Sequence, residues 1–197
     1  MSWLQPVTLE GRHSLLAPLA AAHAPALAEA VRDGELWRLW YTSIPRPETM
    51  AREIERRLAL QDQGSMLPFV VLDAGRVPVG MTTYMNVDPA QRRVEIGSTW
   101  YAARVQRTAL NTECKLMLLA QAFDALECIA VEFRTHRFNL ASRRGIERLG
   151  AQLDGILRHH QRMPDGNLRD TCVYSITREE WPVVRAHLSW QLERPRG

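Results

Sequence analysis

The chain has 197 residues, of which 46% are hydrophobic and 24% charged, with a formal net charge of +3. That length and balance suit one domain over residues 1–197 with a core of its own, and the small, scattered basic excess argues against a nucleic-acid partner. No apolar run is long enough to span a bilayer and no basic leader precedes one, so no membrane is expected. Cys114, Cys128 and Cys172 are isolated and form no Cys/His cluster, which points to a cytoplasmic protein without a metal.

In chain order, residues 12–19 read as a first strand, stopped by Pro18. Residues 20–33 place Leu19, His23, Leu27, Ala30 and Val31 at helical spacing, with Gly34 as the residue beyond the cap. An aromatic stretch (Trp37, Trp40, Tyr41) leads to Pro45 and Pro47, where a second helix opens with Met50, Ile54 and Leu58 on one stripe. Its Arg/Glu-rich segment 52–57 is expected to be a solvated face. After Gly64 the period changes. Residues 67–72 and 77–87 are extended runs joined by the Ala74-Gly75 turn, and 93–101 follows the Asp88-Pro89 turn.

Residues 110–126 predict a helix that is apolar on most sides. Leu110, Cys114, Met117, Leu118, Ala122 and Leu126 share one face, so it should lie against the middle of a sheet. A strand over 128–135 and a helix over 139–149, ended by Gly150, come next. Strands 152–160 and 169–177 flank a Pro164-Asp165-Gly166-Asn167 turn, and Thr177 to Glu180 forms a capping box for a last helix over about 178–191. This order is an α/β mixture with one central βαβ crossover, not the regular alternation of a doubly wound fold.

The crossover is where chemistry concentrates. A strand ends at Tyr101, a short loop follows, and a buried helix begins whose first N–H groups have no partner within it. Such a terminus binds anions and suits a pyrophosphate. The loop has no G-x-G-x-x-G and no Walker lysine, which argues against dinucleotide and nucleoside-triphosphate families.

Val94-Glu95-Ile96-Gly97 on the strand, Gln106-Arg107-Thr108-Ala109-Leu110-Asn111 in the loop and Thr112-Glu113 at the helix start form one set of landmarks. Asn139-Leu140-Ala141-Ser142 and Arg148-Leu149-Gly150-Ala151 form the second. In this order and spacing, over about residues 10–180, the chain resembles the GNAT acyltransferase superfamily, and within it the ribosomal-protein N-terminal acetyltransferases of the RimJ/RimL type. It departs from the family loop pattern at Ala109 and Asn111, which occupy the two small positions.

The resemblance implies an α/β, α+β-like GNAT fold, with a mixed, mostly antiparallel sheet, a βαβ acetyl-CoA-binding core and flanking helices. It implies an N-acetyltransferase whose acceptor is a primary amine, on a protein N-terminus or a small molecule, attacking the thioester directly. Loop amides from Gln106, Arg107, Thr108, Ala109, Leu110, Asn111 and Thr112 would hold the CoA pyrophosphate, and Asn139 the pantetheine arm. Ser142 would lie near the sulfur and stabilise the departing thiolate, since Ile146 stands where many members carry a tyrosine acid. Glu95 would serve as general base, and backbone amides near Trp100 would polarise the acetyl carbonyl.

Rival readings accompany these roles. Glu95 reads equally as a solvent-facing strand residue, Asn139 as a helix cap, and Ser142 as an ordinary first-turn residue. Arg143 and Arg144 could reach phosphates or simply be exposed. Trp37, Trp40 and Tyr41 could line an acceptor pocket, or serve in the core or in a homodimer contact. A non-catalytic acyl-CoA-binding module is the alternative function.

Overall fold

The computed structural model describes residues 3–163 and 165–194, so Pro164 of the expected turn lies outside the described residues. The strands are β1 (Leu9–Glu10), β2 (Ser14–Pro18), β3 (Met66–Asp73), β4 (Pro78–Asp88), β5 (Arg93–Tyr101), β6 (Ala130–His136), β7 (Gln152–Arg162) and β8 (Leu168–Thr177). They form one sheet in the order β1-β2-β3-β4-β5-β6-β8-β7. Only β5 and β6 run parallel, and they are joined through α3 (Leu110–Ala120). The remaining pairs are antiparallel. The other helices are α1 (Ala24–Arg32), α2 (Met50–Asp62), α4 (Leu140–Glu147) and α5 (Trp181–Glu193).

The sheet separates two cores. On one face Leu27 and Val31 of α1 and Met50 and Ile54 of α2 pack on Val70, Met81 and Trp100. Gly34 follows α1 at φ +90°, the left-handed conformation expected of a residue just past a helix end. On the other face α3, α4 and α5 bury Leu118, Ile146 and Leu188 against Phe69, Tyr84, Val94, Phe133 and Tyr174. Helix α3 is shorter than its apolar pattern predicts. Its continuation over Gln121–Ala125 is one turn of π-helix, in which the Leu126 N–H reaches the Gln121 carbonyl at 3.0 Å.

Two departures from regular pairing shape the centre of the sheet. In β5 the pairs Met81↔Trp100 and Thr83↔Gly97 leave Ser98 and Thr99 opposite Thr82, a β-bulge with Ser98 at φ +48°. In addition, β5 pairs with β6 only from Arg93↔Ala130 to Glu95↔Glu132. Beyond Glu95 the two strands part, leaving the β6-facing edge of Ile96 to Tyr101 without a strand partner among the described residues.

Candidate active site

One side of this opening is the loop between β5 and α3. Gly80 lets the strands approach closely there, since a Cβ at that position would lie 2.1 Å from the Trp100 carbonyl oxygen. The Gln106 side chain donates from Nε2 to the Tyr101 carbonyl (2.9 Å), folding the loop back on its own strand. Arg107 follows at φ +59°. Thr108 Oγ1 donates to the Val105 carbonyl (2.7 Å) and accepts from the Leu110 N–H (3.3 Å). The amides of Arg107, Thr108 and Ala109 meet no acceptor among the described residues, and Thr108, Ala109 and Leu110 line a cavity of about 310 Å³ with His13, Asp73 and Gly75. Thr112 is buried and its hydroxyl accepts from Arg148 Nη1 at 3.0 Å.

Glu95 sits at the apex, the last residue of β5 paired to β6. It is only 5% exposed, so it is not a solvent-facing strand residue. Asn86 donates from Nδ2 to Glu95 Oε2 (2.6 Å), and Arg134 Nε lies 3.6 Å from the same oxygen. Asn86 adopts φ +48° at the second irregularity between β4 and β5, a conformation Asn tolerates better than most residues. Gly97 leaves the space the carboxylate needs, because a Cβ there would come within 2.9 Å of Glu95 Oε1. Burial raises the Glu95 pKa above the ordinary 4.5, opposed by the Asn86 bond and the Arg134 charge and reinforced by Glu132.

A model of the acetyltransferase (GNAT) domain matches residues 13–152. The chain belongs to the GNAT acetyltransferase family. A crystal structure described as an acetyltransferase shares 34% identity over 98% of this chain and 97% of its own, with a TM-score of 0.86. Mycobacterium smegmatis RimJ, in complex with CoA-disulfide, shares the fold at 23% identity over 94% and 95% of the two chains (TM-score 0.80). RimL, a ribosomal L7/L12 alpha-N-protein acetyltransferase, does so at 15% identity over 88% and 96% (TM-score 0.77). No curated protein matches. Family and neighbours together make the chain an acyltransferase enzyme, with RimJ and RimL among its structural neighbours.

In this GNAT domain Asn139 is the N-cap of α4, with Oδ1 accepting from the Ser142 N–H at 3.1 Å. That leaves its Nδ2 hydrogens free of the cap, so capping does not preclude a ligand contact. Ser142 is half-buried on the first turn. Arg143 is turned inward, donating from Nε to Tyr174 Oη (2.9 Å), whereas Arg144 is exposed. Ile146 is part of the α3–α5 core.

The three aromatics of the α1–α2 connection separate. Trp37 packs on the α1/α2 core, whereas Trp40 and Tyr41 reach across the opening to the end of β6. There Trp40 meets His136 edge-on at 5.1 Å between centroids and Phe138 at 5.9 Å. Trp100 is buried on the α1/α2 face and its indole Nε1 has no partner among the described residues.

Among the described residues, the burial of Glu113, Lys115 and Arg57 escaped the sequence reading. Glu113, in the first turn of α3, accepts from the Arg12 N–H (2.8 Å), the His13 N–H (2.8 Å) and Ser14 Oγ (2.7 Å), tying the β1–β2 turn to the helix. Lys115 lies under β4 and β5, and Arg57 under the β5 bulge. The segment 52–57 is therefore not a uniformly solvated face: Arg57 is 2% exposed, because α2 presents it to the sheet beside Ile54. Charged residues next to an apolar stripe were the available signal, and periodicity alone does not say which of them turns inward.

Proposed function

We propose that the protein transfers the acetyl group of acetyl-CoA to a primary amine, with a protein or peptide N-terminus as acceptor. The observation that carries this reading is the two-sided opening between β5 and β6. Unpartnered loop amides lie at its α3 side, and a buried carboxylate whose pKa is raised by burial lies at its apex. Those unpartnered amides at the start of α3 suit a pyrophosphate. The fold is shared with a RimJ structure that holds a CoA-disulfide, which supports the same ligand here.

When bound, acetyl-CoA supplies an activated acyl carbon, and a C–N bond to the acceptor forms as its C–S bond breaks. The chain's residues do the rest. Gln106, Arg107, Thr108, Ala109, Leu110, Asn111 and Thr112 build the loop that anchors the phosphates, and Asn139 orients the pantetheine arm. Glu95 takes the proton of the acceptor ammonium, directly or through a water, so that a neutral amine attacks. Backbone amides of β5 near Trp100 polarise the acyl carbonyl. Ser142 donates toward the departing sulfur, a role left to it because Ile146, where many family members carry a tyrosine, has no proton to give.

The acceptor approaches on the α1/α2 face, where Trp40 and Tyr41 form one wall. The floor is an open groove of about 550 Å³ lined by Glu132, Arg134, Asp154, Leu157, Val173 and Ser175, uncovered by any described helix. An open strip of mixed polarity suits an extended peptide better than a compact amine, and the fold shared with RimL, an alpha-N-protein acetyltransferase, supports that acceptor. The three free, buried cysteines fit a reducing compartment, the cytoplasm.

Thermal melts with acetyl-CoA, longer acyl-CoAs and NAD(P) test the ligand. A CoA ligand at about a hundredfold excess over its Kd should stabilise the fold by about 2.7 kcal/mol. Thiol release with panels of peptides and small amines then tests the acceptor. No shift with any CoA ends the proposal.

A further inference from the structure

The bulge in β5 is held from both faces of the sheet by buried cations. From α2, Arg57 Nη1 donates to Thr83 Oγ1 (2.7 Å), and Nη1 and Nη2 both reach the Ser98 carbonyl (3.3 Å). Its Nε donates to Glu53 Oε1 at 2.8 Å, so a partly exposed carboxylate balances the charge. From α3 on the opposite face, Lys115 Nζ reaches Thr99 Oγ1 (3.1 Å) and Thr82 Oγ1 (3.4 Å), and those two hydroxyls bond each other at 2.8 Å. Every residue of the bulge, and the residue opposite it, is therefore gripped.

Burying a guanidinium is expensive, and packed apolar side chains would hold two layers together at least as well. What an apolar side chain cannot do is bind the carbonyl of a serine in a left-handed conformation. Ser98 at φ +48° is strained for a residue with a Cβ, and the bulge persists because its surroundings dictate it. The bulge also shifts the alternation of β5. Glu95 lies on the α1/α2 face before it, and after it Trp100 packs on that same face although five positions separate them. An uninterrupted strand would put residues an odd number apart on opposite faces. The bulge thus sets the direction of the peptide groups along the unpaired edge of β5.

We propose that Arg57 is a positioning residue for acyl transfer: by holding the Ser98 carbonyl and Thr83 it fixes the bulge, and so aims the β5 amides at the acyl carbonyl, with Lys115 bracing the other face. This rests on the reading above that the acyl group lies on that edge. A change at Arg57 should weaken polarisation of the carbonyl and leave the phosphate loop, built from a different segment, able to bind CoA.

The full chain with bound [1-13C]acetyl-CoA is the test, read by isotope-edited infrared spectroscopy alongside CoA affinity from calorimetry. In the wild type the carbonyl band should lie below its position in free acetyl-CoA. In Arg57→Lys, which keeps the charge and loses the planar fork, and in Thr83→Val, which removes one anchor, it should move back toward the free position. The Kd for CoA should change less than about twofold, and thiol release at saturating acetyl-CoA should fall about tenfold or more, the size of a lost charge-assisted hydrogen bond. Thr83→Val keeps the proposal testable where substitution of Arg57 prevents folding. A band unchanged in variants that still bind CoA overturns the role of Arg57 alone; an unshifted wild-type band overturns polarisation by the β5 amides, and the role of Arg57 with it. Failure of the wild type to bind CoA overturns the site reading, and this proposal with it.

Discussion

Glu95 is a carboxylate held where its charge is costly, and both its surroundings and its proposed role follow from that. Glu95→Gln preserves the shape and removes the proton acceptor, so kcat/KM for acetyl transfer should fall about 10²- to 10⁴-fold. The effect on stability has the opposite sign. Because its pKa is raised on folding, the unfolded chain releases this proton first as pH rises above 4.5, and the contribution of Glu95 to stability falls over that interval. At pH 7 the variant should therefore melt no lower than the wild type; a drop of several degrees would mark Glu95 as a structural residue. The residue type and strand position of Glu95 were legible in the sequence. Its burial was not, because Gly97, Asn86 and Arg134, which create it, lie in the same strand, the neighbouring β4 and the distant β6 respectively.

At the scale of elements, the N-terminal end of α3 is anchored by a carboxylate that turns away from the loop. Glu113 accepts three hydrogen bonds from the β1–β2 turn, and Gly11 is required beside it, since a Cβ there would lie 2.4 Å from the Glu113 Cδ. Glu113→Ala leaves two N–H groups and a hydroxyl without their acceptor, at a cost of about 3 kcal/mol. For a chain of this size that is a fall in Tm of roughly 6–12 °C, measurable by calorimetry. The same change loosens the start of α3, where the proposed CoA site lies, so CoA affinity should weaken as well. A wild-type Tm and CoA Kd in this variant would refute the anchor. Helix α3 was legible from its apolar spacing, whereas its polar anchors were not. Glu113 and Lys115 sit within the apolar stretch, and only the β1–β2 turn and the Thr82/Thr99 pair explain why they can be buried.

For the molecule as a whole, buried charges shape how stability varies with pH. Burial lowers the Lys115 pKa from 10.5 to about 8. Between those values the unfolded chain carries a proton that the folded chain has released, so the contribution of Lys115 to stability rises with pH across that window. It amounts to on the order of 3 kcal/mol. Urea denaturation at pH 7.5 and pH 9.5 should show about 2 kcal/mol of this gain in the wild type relative to Lys115→Met, which lacks the titrating group. Parallel pH dependence in the two proteins would rule it out.

The sequence by itself determined the order of strands and helices except for the two-residue β1, the single crossover and the family motifs, because hydrophobic period, turn residues and helix caps are local signals. It also placed a helix N-terminus directly after a strand, the feature on which the proposed CoA site rests. Only the tertiary structure decided that β5 leaves β6 at Glu95, that Trp40 and Tyr41 face His136 while Trp37 does not, and that Arg57 turns inward. Each depends on which residues from remote parts of the chain meet across the sheet. A charge is buried or solvated according to those partners, and no periodicity along a single helix or strand records them.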